Sequence, residues 1–99
     1  MKVEFLLAAE AELEDAVQWY NGRENGLGEE LRAEVGNAIQ RIILFPEGWA
    51  KVSPRTRRCQ VARFPYGVIY QVRSEMILIV AIMHLSRKPG YWNQRSGDV

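Results

Sequence analysis

The sequence has little of what metal and disulfide chemistry needs. Its one cysteine, Cys59, excludes an intramolecular disulfide and any cysteine-based metal framework. A single histidine, His84, argues against a zinc site, so neither a metal nor a cofactor is expected. Sparse thiol use fits a reducing compartment, and the expected location is cytoplasmic. Long hydrophobic runs are missing too. The longest uncharged apolar run, residues 76–83, falls far short of the roughly 20 residues that span a bilayer, so no membrane association is expected. The opening MKVEFLL imitates an export signal, but Glu4 interrupts its short apolar core and acidic residues follow at once. There are no internal repeats, linkers or low-complexity segments, and the expectation is one domain over residues 1–99.

What is present is a core and an uneven charge. Hydrophobic residues make up 47% and charged residues 25%, enough for a modest core and too apolar for a disordered chain. Residues 1–50 carry ten acidic side chains against four basic ones. Residues 51–99 carry nine basic against two acidic, with no acid between residues 51 and 73. A basic half of this kind suits an anionic partner, either nucleic acid or an acidic protein segment, or simply lines sheet edges with arginine.

KVEFLL (2–7) alternates, with Val3, Phe5 and Leu7 on one face, and reads as a strand. From Ala9 the period becomes helical, through Leu13, Ala16, Val17 and Tyr20. Glu10, Glu12, Glu14 and Asp15 lie early in that helix, where its dipole favours negative charge. NGRENG ends it. Leu31, Val35, Ala38, Ile39 and Ile42 form a second stripe that stops before Pro46. Ile43, Leu44 and Phe45 widen its apolar surface and predict a helix covered on more than one side. Residues 46–56 read as a loop, and RRCQVARF, FPYG and VIYQVR as a hairpin with Pro65 and Gly67 in the turn. MILIVAIMHL (76–85) is apolar on both faces and fits a central strand. Cys59 is expected as a small buried hydrophobe, and Trp19 and Trp49 as cover for the core. The fold class is therefore α+β. A β-α-α-β-β-β order forms an antiparallel-dominated sheet, with an N-terminal helix hairpin packed on one face.

The element order and a series of motifs resemble the RelE/ParE superfamily of bacterial type II toxins. The motifs are AVQWY, GLGEEL, AIQRIILFPEGW, RRCQVARFPYGVIY and ILIVAIMHLSRKPGYWNQR, and the resemblance extends over nearly the whole chain, from about residue 3 to 95. The match is nearest the ParE-like, plasmid-stabilisation side. The resemblance implies a growth-arresting toxin neutralised by a cognate antitoxin, usually encoded beside it. Its target is then DNA gyrase, as for ParE-like members, or mRNA on the ribosome, as for RelE-like endoribonucleases. A degenerate member that only binds its antitoxin is a further alternative. The gyrase-type binder is placed first, because a net charge of +1 is small for a protein entering the decoding site.

The residues that would carry these functions lie in the basic half. A ribonuclease needs a base, an acid and cations around one phosphate. His84, Tyr91, Arg58, Arg63 and Arg87 are the candidates, and Arg58, Arg63, Arg87 and Tyr91 match the placement in RelE-like enzymes in kind rather than by a strict motif. A target- or antitoxin-binding surface would draw on Arg57, Arg58, Arg87, Tyr91, Trp92 and Arg95. Pro89-Gly90 should turn the chain and fold Tyr91 and Trp92 back over the sheet edge. Arg87 and Arg95 would then share a rim with Arg58 or Arg63.

Overall fold

A computed structural model describes residues 1–95. The elements in chain order are β1 (Lys2–Phe5), α1 (Leu7–Arg23), α2 (Leu27–Leu44), β2 (Lys51–Ser53), β3 (Thr56–Gln60), β4 (Tyr66–Arg73) and β5 (Met76–His84). They form a two-helix hairpin on a five-stranded sheet of order β1-β5-β4-β3-β2. β1 runs parallel to β5, and the other neighbours are antiparallel. This is the expected α+β class with one strand more than the sequence indicated. β2 is three residues long, with Val52 its one apolar side chain, and lies hidden in the segment read as a loop.

Both helical stripes face the sheet. Ala9, Leu13, Ala16 and Val17 of α1 are buried, as are Leu31, Val35, Ala38, Ile39 and Ile42 of α2. They meet Val68, Tyr70, Ile77, Ile79 and Ile82, and Cys59 lies buried with them. The helices touch at Gly28, where an added Cβ would stand 2.1 Å from the Val17 carbonyl oxygen. Gly26, at φ +86°, provides the left-handed turn between them.

The sheet's other face has its own apolar layer of Ile69, Leu78, Val80, Ala81 and Met83. The C-terminal segment crosses it and buries Trp92, which is 2% exposed. β5 is thus covered on both sides, which is why its sequence lacks alternation.

Four local expectations differ from the structure. Leu7 opens α1 rather than ending a strand and is exposed, because the chain turns into the helix directly after Phe5. Leu44 and Phe45 are also exposed, since α2 ends there and nothing described covers its tip. Gly67 lies within β4, not in the turn, and the stem of Arg58 crosses it where a side chain would stand. Trp19 is 54% exposed and carries Arg23 over its ring at 4.3 Å, rather than covering the core.

Candidate functional site

β1 is only four residues long, so β5 runs on beyond its partner from Val80. Side chains complete that edge. The Ile82 backbone N–H donates to the Glu12 carboxylate at 3.0 Å. Arg95 Nη1 donates to the Val80 carbonyl at 3.3 Å.

Glu12 is the centre of this cluster. It reaches from α1 with its side chain 16% exposed. The Tyr91 hydroxyl donates to it at 2.8 Å, and Arg95 grips it with two N–H groups at 2.8 and 2.9 Å. Arg87 stands 3.5 Å away, its guanidinium stacked 3.7 Å above the Tyr91 ring. Burial, followed by the hydrogen bond and charge of Glu12, pushes the Tyr91 phenol well above its ordinary range. Arg95 is shifted upward chiefly by its hydrogen bond to Glu12. The segment after Pro89-Gly90 is therefore tied down at two points. Trp92 packs under it, and Tyr91 and Arg95 clasp Glu12.

Beside the clasp, a groove of about 440 Å³ opens between α1 and the ends of β4 and β5. Asp15, Trp19 and Tyr20 line its helix side, and Tyr66, His84 and Arg87 its sheet side. Burial raises the Tyr66 phenol above its usual range. The His84 ring meets Tyr66 edge-on, with centroids 5.0 Å apart. Its Nδ1 accepts the Ser86 backbone N–H at 3.1 Å and lies 2.7 Å from the Ser86 hydroxyl. In the neutral ring this leaves the proton on Nε2.

The structure brings together His84, Arg87, Tyr91 and Arg95 and separates the rest of the residues singled out in the sequence. Arg58 pairs with Ile69, so it stands on the sheet face opposite His84, which pairs with Tyr66 on the helix side. Arg63 is turned to α2. It donates to Glu30 at 2.6 Å with Glu34 3.7 Å away, and the Glu30 bond raises its pKa. Arg57 donates to the Trp49 carbonyl at 2.7 Å. Trp92 is a core residue and presents almost no surface. The rim expected of Arg87 and Arg95 with Arg58 or Arg63 does not form, because α1 supplies Glu12 and α2 supplies Glu30 as nearer partners.

Glu12 was missed among the early acids of α1. Its signal was positional. It lies three residues after Ala9 and four before Ala16, on the buried stripe, where a carboxylate demands donors. Among the described residues, no group of three or more His, Cys, Asp or Glu could hold a metal, and no helix is long and apolar enough to cross a membrane.

Comparison with known proteins adds two findings. The family model for the ParE toxin of the type II toxin–antitoxin system, parDE, matches residues 3–89. A solved structure titled as the chromosomal ParDE TA system from P. aeruginosa superposes with a TM-score of 0.76. It is 17% identical and covers 87% of this chain and 97% of its own. No curated protein matches at significant similarity.

Proposed function

The chain belongs to the ParE toxin family of type II toxin–antitoxin systems, and from that premise we propose that it arrests growth by binding DNA gyrase and that a cognate antitoxin neutralises it. The observation that carries the choice of target is the dispersal of the groups a ribonuclease would need. Attack of an RNA 2′-hydroxyl on its phosphate calls for base, acid and cations within hydrogen-bond reach of one reacting centre. Here His84 lies in the groove, Arg58 on the opposite face of the sheet, and Arg63 against Glu30. The Tyr91 hydroxyl is committed to Glu12, and its raised pKa makes it a poor proton donor near neutrality. A binder needs only a shaped surface. The groove offers one, with the exposed ring of Trp19, the edge of Tyr66 and the half-exposed Arg87 beside it.

The test uses purified protein in two reconstituted reactions. With gyrase and plasmid DNA, supercoiling should be inhibited and cleaved DNA should accumulate. With translating ribosomes, the mRNA should stay intact, and His84→Gln should remain toxic in cells. If mRNA is cut instead, and His84→Gln slows the cutting by about 10²-fold, the protein is a ribonuclease and the gyrase reading fails. If neither reaction is affected and only antitoxin binds, it is a degenerate member.

The neighbour is titled a ParDE toxin–antitoxin system, which supports an antitoxin for this chain as well. We expect the complex to bury about 1,200–2,000 Å² or more, as specific complexes do. The antitoxin should place acidic groups near Arg57, Arg58 or Arg87. Co-expression with the product of the adjacent gene checks this. Separate purification with persistent growth arrest would refute it.

A further inference from the structure

The groove between α1 and the ends of β4 and β5 has two unlike walls. Asp15 follows Glu12 by three residues and Trp19 follows Asp15 by four, so one face of α1 looks along its length. Glu12 adds little net charge there, because Arg95 grips it with two N–H groups. Asp15 is exposed, and no hydrogen bond or ion pair engages it among the described residues. The opposite wall presents donors. Arg87 is 52% exposed and meets Glu12 only at 3.5 Å, and the neutral His84 ring keeps its proton on Nε2. Buried Ala16 and Ile82 lie between the walls. We propose that the groove takes a segment of the target protein in which an apolar anchor side chain lies between a basic and an acidic residue, the basic one against Asp15 and the acidic one against Arg87 and His84. This rests on the reading of the groove as the target-binding surface and adds the chemistry of what binds there.

Three features favour a protein segment of this kind. The first is charge. A wall with a carboxylate facing a wall with a cation gives no net attraction to a purely acidic or purely basic partner. It does orient a segment that carries both signs, because the reversed direction sets like charges together. The second is composition. Interface energy concentrates in Trp, Tyr and Arg, and the groove gathers Trp19, Tyr20, Tyr66 and Arg87. Arg23 lies over the Trp19 ring at 4.3 Å and helps to fix it, so this exposed ring gives up less freedom when a partner covers it. The third is what the helix excludes. Exposed Glu10 and Glu14 flank the groove acids on α1, and a field of that sign repels the phosphates of a nucleic acid. The volume of about 440 Å³ leaves room for a large anchor side chain over Ala16 and Ile82.

The assay is binding of the full chain to immobilised gyrase, followed by biolayer interferometry at two salt concentrations. Asp15→Asn should weaken binding about two- to fivefold, mainly by slowing association, and should reduce the effect of salt. Asp15→Lys should weaken it about tenfold or more, because like charges then meet, and Asp15→Glu should bind as the parent does. Trp19→Ala should cost about 30-fold or more, the loss of an anchor at the mouth. Glu10→Lys makes the same charge change on α1 outside the groove and should leave binding unaltered. Asp15, Trp19 and Glu10 are all exposed, and each variant should unfold in urea as the parent does. If the parent binds gyrase and Asp15→Lys and Trp19→Ala bind equally well, the target reading stands and this proposal is overturned. If the parent does not bind gyrase, both fall. Tighter binding by Asp15→Lys also overturns it, since the partner then presents an acid at that wall. Two other occupants would overturn it as well: a labelled DNA duplex that binds the chain alone and binds Trp19→Ala more weakly, or a second copy, shown by a dimer that Trp19→Ala turns into a monomer.

Discussion

Replacing Glu12 by Ala should loosen the C-terminal segment more than any other single change to a charged residue in this chain. The substitution removes the acceptor for the Tyr91 hydroxyl, the Arg95 guanidinium and the Ile82 N–H, at 2.8 to 3.0 Å. A hydrogen bond to a charged group contributes about 1.5–3 kcal/mol, but the separate values do not simply add. Arg95 and Arg87 keep 22% and 52% side-chain exposure and recover much of their solvation from water. The Ile82 N–H and the Tyr91 hydroxyl recover less, and a stranded buried donor costs about 1–3 kcal/mol. The expected loss is therefore about 2–5 kcal/mol, a large part of a total that is about 5–15 kcal/mol in ordinary domains. Glu12→Gln keeps one acceptor oxygen and the shape, and should lose about half as much. Urea unfolding at pH 7, followed by tryptophan fluorescence, measures both. Amide exchange at Ile82 should quicken in step. Glu14 supplies the control, since it pairs with Arg32 in the open and its replacement should change unfolding far less. If Glu12→Ala unfolds within about 0.5 kcal/mol of the parent, as a surface change would, the clasp contributes nothing and the segment is held by Trp92 alone.

Three further outcomes follow from the same structure. Ile39→Ala, Ile42→Ala and Ile79→Ala each empty part of the layer between helices and sheet, and each should cost about 2–5 kcal/mol in denaturant unfolding. Stability should also fall in alkali. Burial is the first cause that pushes the Tyr70 phenol up to about 12 and raises Tyr66 and Tyr91 with it. A phenol with a raised folded pKa stabilises fully below its unfolded value of about 10, and that contribution is lost as pH climbs towards the folded value. Guanidinium unfolding between pH 8 and 11 should decline from about pH 10, and less steeply in Tyr91→Phe. Finally, Arg87→Ala, shown to be folded by circular dichroism, should abolish growth arrest while weakening antitoxin binding only in part. Undiminished arrest would make residues 84–95 a structural clasp and nothing more.

The helices were legible because each buries a regular stripe, and every residue of the second stripe is indeed buried. β5 was legible because both of its faces are covered and its sequence is apolar throughout. β2 was not, since a three-residue edge strand with one apolar side chain leaves no periodic trace. Leu44 and Phe45 misled because hydrophobicity reports what a residue favours, not whether a neighbour arrives to cover it. The C-terminal cluster was half legible. Pro89-Gly90 announced a turn and the cations and aromatics stood in plain view, yet their partner sits about 80 residues earlier, as in the bond from Arg95 to Glu12. Composition assigned the acids to a helix layer and the cations to a sheet rim. It could not say that Glu12, Glu30 and Glu34 reach from that layer to cations of the other half.

The parallel pairing of β1 with β5 joins Lys2 to Met76 and Phe5 to Ile79. The first strand to be synthesised therefore waits for the last. At about 5–20 residues per second, the gap between the two is roughly 4–15 s. Until β5 emerges, the apolar stripes of the two helices have no complete sheet to cover them, and the nascent chain has neither the β5 edge nor the clasp that completes it. Any truncated product ending before β5 has the same deficit permanently. The sheet is thus withheld from its complete form until its last strand is translated, and the clasp and the groove beside it arise together at the end of synthesis.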